Sequence, residues 1–228
     1  MIEYTKERPL RVFEAFAGYG SQSLGLNRLK KHFPEFDYIP VGFSEIEPAA
    51  IKAYKALHGD VRNYGDITKI DWGAVPDFDL FTMSSPCQDF SQAGKMAGGA
   101  EGSGTRSSLL WECRRAILAK RPRYILMENV SNLAKKFIRD FNRWRSELDS
   151  FGYANFAQIL DSQDYGIPQH RERLFLVSIL RTEKEPDPSF HFPAPFSLEL
   201  RLKDMVEDGV DEKYYLSNEK VAQYMEGL

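Results

Sequence analysis

One cysteine of the sequence stands where a nucleophile could act. Cys87 follows the apolar run 78–83 and lies in the segment Ser-Ser-Pro-Cys-Gln at 84–88. A strand that ends in small residues and a proline would place this thiol at the carboxyl edge of a sheet, where open α/β folds bind their ligands. A free cysteine is more often a small buried hydrophobe. The polar turn around Pro86 and Gln88 favours a nucleophile instead.

The segment after Cys87 is rich in glycine. Residues 92–106 include Gly94, Gly98, Gly99, Gly102 and Gly104. Ordering such a segment costs much conformational entropy, and a loop of this length is usually functional or a linker. Because it directly follows the candidate nucleophile, we predict that it forms a lid.

A carboxylate is predicted at the same sheet edge. The strand 124–127 leads directly into Glu128 and Asn129. A carboxyl group beside a thiol pocket could act as a general acid if burial raises its pKa. Alternatively, Glu128 caps the helix predicted over 133–151, whose basic residues would form a solvated face.

Two arginines lie between two β-rich runs, 153–160 and 174–180. Arg171 and Arg173 alternate on a segment predicted to be extended, so both would face one side. Their guanidinium groups could there bind a phosphate or a carbonyl oxygen. The alternative is pairing with nearby acids, which contributes little net stability.

A glycine turn near the start resembles a nucleotide-binding loop. Gly18 and Gly20 follow a strand over 10–16 and precede a helix predicted from about Ser21 to Phe33. Glycines allow the backbone to approach a ligand, and the helix N-terminus offers free N–H groups. Since the third glycine is Gly25, the full Gly-x-Gly-x-x-Gly pattern is absent, and the turn could serve only to pack strand against helix.

Acidic residues follow the next two predicted elements. Glu45 comes 27 residues after Gly18, at the end of a strand over 38–43, where a carboxylate could bind ribose hydroxyls. Alternatively, Glu45 caps the N-terminus of the helix predicted over 49–57. For Glu47, ribose binding and helix capping are comparable interpretations. Asp66 could accept a hydrogen bond from an adenine amino group, although an Asx-turn is the more usual arrangement.

Composition indicates a globular chain. Its 228 residues are 43% hydrophobic, with a formal charge of -3 and a pI of about 5.9. The hydrophobic fraction is enough for a sizeable core. The net charge gives no global basic field that would indicate binding to nucleic acid, although a local basic face could still bind it. With two cysteines and no Cys/His cluster, we expect no metal site, no disulfide framework and a reducing compartment, the bacterial cytosol or nucleoid. We expect neither secretion nor a membrane span, because no secretory segment opens the chain and no apolar run reaches the ~20 residues that a bilayer requires.

Six motifs follow one another along the chain: Phe16-Ala17-Gly18-Tyr19-Gly20, Glu45, Gly65-Asp66-Ile67, Pro86-Cys87-Gln88, Glu128-Asn129-Val130 and Gln169-His170-Arg171-Glu172-Arg173. Taken in order, they resemble those of the DNA (cytosine-5)-methyltransferases of the bacterial modification type. The resemblance covers about residues 10 to 200. It implies an α/β, Rossmann-like fold that uses S-adenosylmethionine, with a mostly parallel sheet, helices on both faces and an antiparallel terminal hairpin.

The resemblance also implies roles for the catalytic residues. The Cys87 thiolate would add to C6 of a cytosine flipped out of duplex DNA, Glu128 would hydrogen-bond its N3 side, and Arg173 would hold O2. Methyl transfer to C5 and loss of the C5 proton would then release Cys87. The remaining residues of this expected site are Pro86, Gln88, Asn129 and Arg171.

For S-adenosylmethionine, the resemblance implies a cradle formed by the first two loops. Glu45 would bind ribose, and Asp66 with Ile67 would contact adenine. The full expected set is Phe16, Ala17, Gly18, Tyr19, Gly20, Ser21, Glu45, Ile46, Asp66, Ile67, Ser85 and Leu109.

We predict two domains: a catalytic and cofactor-binding domain over 1–185, then a hinge and the start of an incomplete target-recognition region over 186–228. Members of this family usually continue well beyond this length. We therefore expect a fragment, or a chain whose recognition region is supplied by a second polypeptide. Two alternatives stay open, namely modification of tRNA and a non-catalytic subunit, although the presence of Cys87, Glu128 and Arg173 argues against a decayed site.

Overall fold

The computed structural model describes residues 3–86 and 106–226, except for the side chains of 106–108. Cys87, Gln88 and nearly all of the predicted lid lie outside these residues.

A single six-stranded sheet organises the described chain, in the order β2-β1-β3-β4-β6-β5. The strands are β1 (Leu10–Ala15), β2 (Tyr38–Ser44), β3 (Leu80–Met83), β4 (Tyr124–Val130), β5 (Tyr153–Asp161) and β6 (Glu172–Leu180). The pairs β1–β2, β1–β3 and β3–β4 are parallel, whereas β4–β6 and β5–β6 are antiparallel. This confirms the predicted mostly parallel sheet with an antiparallel terminal hairpin.

The described helices are α1 (Ser21–His32), α2 (Pro48–His58), α3 (Cys113–Lys120), α4 (Asn132–Lys135), α5 (Ile138–Ser150) and α6 (Asn218–Glu226). A 3-10 segment, Arg106–Glu112, leads directly into α3. The single helix predicted over 133–151 is wrong, because Phe137 adopts φ -108°, ψ 34° between α4 and α5. Phe137 packs there against the core cluster that contains Leu133 and Phe141, so the interruption directs both helices onto one core.

Adjacent residues of β1 show how the sheet is covered. Val12 and Phe13 are both fully buried and, as neighbours on a strand, point to opposite faces. The Val12 cluster receives Leu26 of α1, and the Phe13 cluster receives Ile117 of α3 and Trp144 of α5. Helices therefore cover both faces, as predicted, and the parallel strands at the centre are shielded from water.

The chain divides into two compact units. The first is Met1–Asp161 with Glu172–Ala194, and contains all six strands; the second is Ser162–Arg171 with Pro195–Leu228. Within the second unit, Phe196 packs edge-on against Tyr165, and none of the residues of α6 is buried. The functions assigned to 1–185 and 186–228 stay predictions. No helix of the described residues is long and apolar enough to cross a membrane.

Candidate active site

Three parallel strands end at one edge of the sheet. Ala15 of β1 pairs with Met83 of β3, and Met83 pairs with Met127 of β4. The chain after β3 continues through Ser84 and Ser85 to Pro86, immediately before Cys87. Because parallel strands share a direction, the glycine loop, the Pro86 segment and Glu128 all follow from the carboxyl edge, as the sequence predicts.

Two predicted catalytic residues meet at this edge. Arg173 Nε lies 2.9 Å from Glu128 Oε1, and each side chain is about one quarter exposed. In the β4–β6 register Arg173 pairs with Val130, two residues from Glu128, so the two side chains are diagonal neighbours on one face. Glu128 is therefore part of β4, and the alternative that it caps the following helix is wrong. Arg173 pairs with an acid, as the alternative interpretation of the two arginines predicts.

Arg171 is placed differently from Arg173. It lies one residue before β6, is exposed, and belongs to the second compact unit. Its carbonyl oxygen accepts a hydrogen bond from the Ser162 amide. A catalytic role for Arg171 stays a prediction.

Asn129 joins β4 to the segment that precedes Cys87. Its buried Nδ2 group donates to the carbonyl and the hydroxyl of Ser85, over 3.3 and 3.2 Å, and its Oδ1 accepts from the Val130 amide. Ser85 is itself buried. Asn129 thus restrains the backbone one residue before Pro86, and Pro86 is half-buried beside it.

The glycine loop has a left-handed backbone at three positions. Phe16, Gly18 and Gly20 have φ values of 55°, 57° and 81°. A Cβ at Gly20 would lie 2.4 Å from His58 Nε2 and 2.8 Å from the Tyr54 ring, so only glycine fits there, whereas no described atom lies within 4 Å of a Cβ at Gly18. Ala17 is buried, Tyr19 is exposed, and Ser21 begins α1. The open side of the loop is therefore at Gly18.

Glu45 binds the glycine loop directly. Its Oε2 accepts from the Gly18 amide at 2.9 Å, and its Oε1 accepts from the amides of Ile46 and Glu47 at 2.8 and 2.9 Å. Ile46 beside it is 71% exposed. Glu47 occupies the N-cap of α2, as the capping interpretation predicts, although its side chain makes no capping hydrogen bond within the described chain.

Asp66 forms the Asx-turn that the sequence favoured. Its Oδ1 accepts from the amide and the hydroxyl of Thr68, at 3.0 and 2.9 Å, and these hydrogen bonds hold the pKa of Asp66 below its usual value. The Ile67 side chain is buried in the main core, and Leu109 is half-buried in the 3-10 segment before α3. Contact of these three residues with adenine or cofactor stays a prediction.

Residues 10–226 match the family model of the C-5 cytosine-specific DNA methylases. The chain belongs to this family. It is 39% identical to the Type II methyltransferase M2.ScrFI of Lactococcus lactis subsp. cremoris, over 93% of this chain and 72% of that protein. It is 36% identical to M.NlaX of Neisseria lactamica, over 91% and 63%. The orphan methyltransferase M.Rho11sI of Bacillus phage rho11s is 32% identical, over 96% and 48%. The methylase chain thus spans between about half and three quarters of these relatives.

Solved structures are similar in fold. The S. pombe Dnmt2 methyltransferase matches with a TM-score of 0.70 at 22% identity, over 96% of this chain and 66% of that one. A Spodoptera frugiperda DNMT2 mutant matches with a TM-score of 0.75 at 21% identity, over 95% and 65%. These similarities concern the fold alone, and they confirm the predicted Rossmann-like arrangement.

Sequence reasoning missed several residues that organise the site of this methylase chain. Gln22, in the first turn of α1, donates from Nε2 to Ser84 Oγ at 2.9 Å. It therefore links the helix after the glycine loop to the segment before Cys87. A polar residue in the first turn of a helix is too common to signal such a contact.

A buried acid lies behind the glycine loop. Glu14 of β1 is fully buried; its Oε1 accepts from Ser23 Oγ at 2.7 Å, and its Oε2 has no hydrogen-bond partner among the described residues. Burial raises the pKa of Glu14, opposed by the Ser23 hydrogen bond and by His58. On the loop side, His58 Nε2 donates to the Tyr19 carbonyl at 3.0 Å. His58 thus holds the loop directly, whereas Glu14 holds the helix that follows it through Ser23.

The described residues contain no group of three or more His, Cys, Asp or Glu side chains that could hold a metal ion. Cys113 is buried, and burial raises the pKa of its thiol. It has the environment of a structural cysteine and not of a nucleophile.

Proposed function

We propose that this chain is the catalytic and cofactor-binding part of a DNA cytosine-5 methyltransferase, which transfers a methyl group from S-adenosylmethionine to C5 of cytosine. The observation that carries the proposal is the Glu128–Arg173 pair at the sheet edge from which the Pro86-Cys87 segment departs. The family match over residues 10–226 supports it. An acid and a guanidinium held together on neighbouring strands suit the N3 and O2 positions of one cytosine ring.

The cofactor loops fit S-adenosylmethionine. A carboxylate offers about four lone-pair sites. Glu45 uses three for backbone amides, so a site remains on Oε2 for a ribose hydroxyl. The space at Gly18 is open, and exposed Ile46 adds an apolar surface beside Glu45. When bound, S-adenosylmethionine supplies an electrophilic methyl group on its sulfonium.

Cys87 would act on the cytosine ring. An ordinary thiol with a pKa of about 8.5 is only a few per cent ionised at neutral pH, so the site must favour the thiolate. Addition forms an S–C6 bond and moves the C5=C6 electron pair toward C5. Loss of the C5 proton after methylation restores the double bond, breaks the S–C6 bond and releases Cys87.

Glu128 and Arg173 would assist this addition. A hydrogen bond from the Glu128 carboxyl to N3 withdraws electron density from C6 as the thiolate approaches. Arg173 uses Nε for Glu128 and Nη1 for the Glu172 carbonyl. Because a guanidinium has five N–H groups, donors remain for the O2 oxygen.

The duplex would contact other residues. A cytosine inside a stack must be flipped out to reach Cys87, at a cost of a few kcal/mol. We propose that basic residues such as Lys95, Arg106 and Arg171 bind phosphates with an affinity that falls as salt rises. Residues 186–228 would form the hinge and the start of the target-recognition region.

The test is covalent trapping on duplex DNA that contains 5-fluorocytosine, with S-adenosylmethionine present. Fluorine does not leave C5 as a proton does, so the Cys87 adduct should persist under denaturing conditions. The Cys87→Ser variant is the control: it should form no adduct and bind S-adenosylhomocysteine as the wild type does. A chain that binds S-adenosylhomocysteine but gives no adduct with DNA would contradict unaided catalysis. An adduct formed only with 5-fluorocytosine tRNA would assign the substrate to RNA.

A further inference from the structure

One asparagine connects the two acidic loops. Asn63 Oδ1 accepts from the Glu45 amide at 3.1 Å and from the Gly65 amide at 3.0 Å, and its Nδ2 donates to the Glu45 carbonyl at 2.9 Å. All three hydrogen bonds are to backbone groups, those of Glu45 and of Gly65, which directly precedes Asp66. A single half-buried carboxamide thus uses both its acceptor and its donor to bridge the loops.

The neighbouring backbone brings the asparagine to this position. Phe43 of β2 accepts from the Tyr64 amide at 2.7 Å and donates to the Arg62 carbonyl at 3.0 Å, so residues 62–64 run beside the edge strand. Ser44 Oγ donates to the Gly65 carbonyl at 2.7 Å. The Gly65 peptide, with φ 70°, is therefore held on its N–H side by Asn63 and on its C=O side by Ser44.

The hydrogen bonds form a continuous connection across the site. The Glu45 carboxylate holds the Gly18 amide of the glycine loop, and the Asn63 carboxamide holds Glu45 and Gly65. Asp66 follows directly and is oriented by Thr68. Without Asn63, the Glu45 and Gly65 amides would each lose a partner, and of these hydrogen bonds only the one from Ser44 Oγ would still join the two loops.

We infer that Asn63 is a positioning residue of the cofactor site, which presets the spacing between the ribose-binding Glu45 and the adenine-side Asp66 before the nucleoside binds. The inference rests on the proposed function. Preorganised loops bind more tightly because ordering has already occurred in the free protein. The tighter binding should apply to the adenosine part of a ligand and not to its amino-acid part.

The test measures dissociation constants for adenosine and for S-adenosylhomocysteine by calorimetry, without DNA. Asn63→Ala should weaken both by about tenfold, as expected for the loss of hydrogen bonds that orient a charged acceptor. Asn63→Asp keeps the shape and Oδ1, but places an oxygen against the Glu45 carbonyl and should also weaken binding. Asn142→Ala, an exposed asparagine of α5, is the matched control and should change neither constant.

A double-mutant cycle separates positioning from a general loss of structure. In the Glu45→Ala background, Asn63→Ala should cost much less affinity than in the wild type, because the group that it orients is gone. A merely structural asparagine would lower the melting temperature and leave the dissociation constants of the folded chain unchanged. That result, or additive effects in the cycle, would overturn the inference. A wild-type chain that binds neither ligand would instead overturn the proposed cofactor site, and the inference with it.

Discussion

Arg173 lies diagonally across β4 and β6 from Glu128, with its Nε 2.9 Å from Glu128 Oε1. The register of two antiparallel strands, and not a flexible loop, sets this distance. Rigid elements hold reacting groups more exactly than loops do. The acid and the guanidinium are therefore preorganised relative to each other, and Asn129 restrains the backbone of Ser85, two residues before Cys87 in the sequence.

We expect Glu128→Gln to lower the rate of methyl transfer by roughly 10²- to 10⁴-fold, the range for losing a general acid. The amide keeps the size of the side chain but cannot deliver a proton. Single-turnover transfer of radiolabelled methyl groups to DNA measures the rate. S-adenosylhomocysteine affinity should stay unchanged, as should the rate of the exposed Glu35→Gln control. A matching loss of cofactor affinity would remove Glu128 from the chemical step.

Replacing Glu45 by Ala should weaken cofactor binding by roughly 1.5–3 kcal/mol, or roughly 10- to 140-fold. The carboxylate accepts from the Gly18 amide, and it leaves one site for ribose. Calorimetric titration with S-adenosylhomocysteine measures the effect. Glu35→Ala is the control, since this exposed carboxylate lies outside the proposed cofactor site. Equal affinities for the wild type and Glu45→Ala would restrict Glu45 to a structural role.

Gly20→Ala should lower the free energy of unfolding by about 2–5 kcal/mol, through left-handed backbone strain and overpacking. The new Cβ would meet His58 and Tyr54, and Tyr54 cannot move easily because it is fully buried and its ring stacks on Phe43 at 3.9 Å. Urea unfolding measures the change. Gly25→Ala, on the exposed side of α1 with open space around it, should be neutral or stabilising by up to about 1 kcal/mol. Similar losses for both variants would contradict the crowding at Gly20.

The stability of Glu14→Gln relative to the wild type should increase as pH rises above about 4.5. Burial raises the pKa of Glu14, so the folded state keeps its proton at a pH where the unfolded chain has lost it. Wild-type stability then falls with rising pH, by up to about 1.4 kcal/mol per pH unit, until the folded-state pKa is passed. The glutamine has no such proton, and its Oε1 can still accept from Ser23.

Urea unfolding of both proteins between pH 4 and 6 checks this. The difference in unfolding free energy should be constant below pH 4.5 and grow above it. A difference that does not vary with pH would mean that Glu14 ionises as freely in the folded chain as in the unfolded one.

The elements and the order of the motifs could be predicted from the sequence. The spacing of apolar residues and the turn glycines Gly18 and Gly20 act locally, so α1, α2 and five of the strands were predicted within one or two residues of their bounds. The sixth, β4, continues three residues beyond the predicted end at 127 and so includes Glu128. The motifs at Cys87, Glu128 and Arg173 likewise identified the family without any coordinates.

Contacts between distant segments were decided by the tertiary structure. The pairing of Glu128 with Arg173, the bridge from Asn63 to Glu45, and the link from Gln22 to Ser84 each join residues on separate elements. Strand order and register set these distances, and neither is encoded in local periodicity. The break at Phe137 has the same origin, because packing of Leu133 and Phe141 into one core outweighed the helical pattern that continues through 133–151.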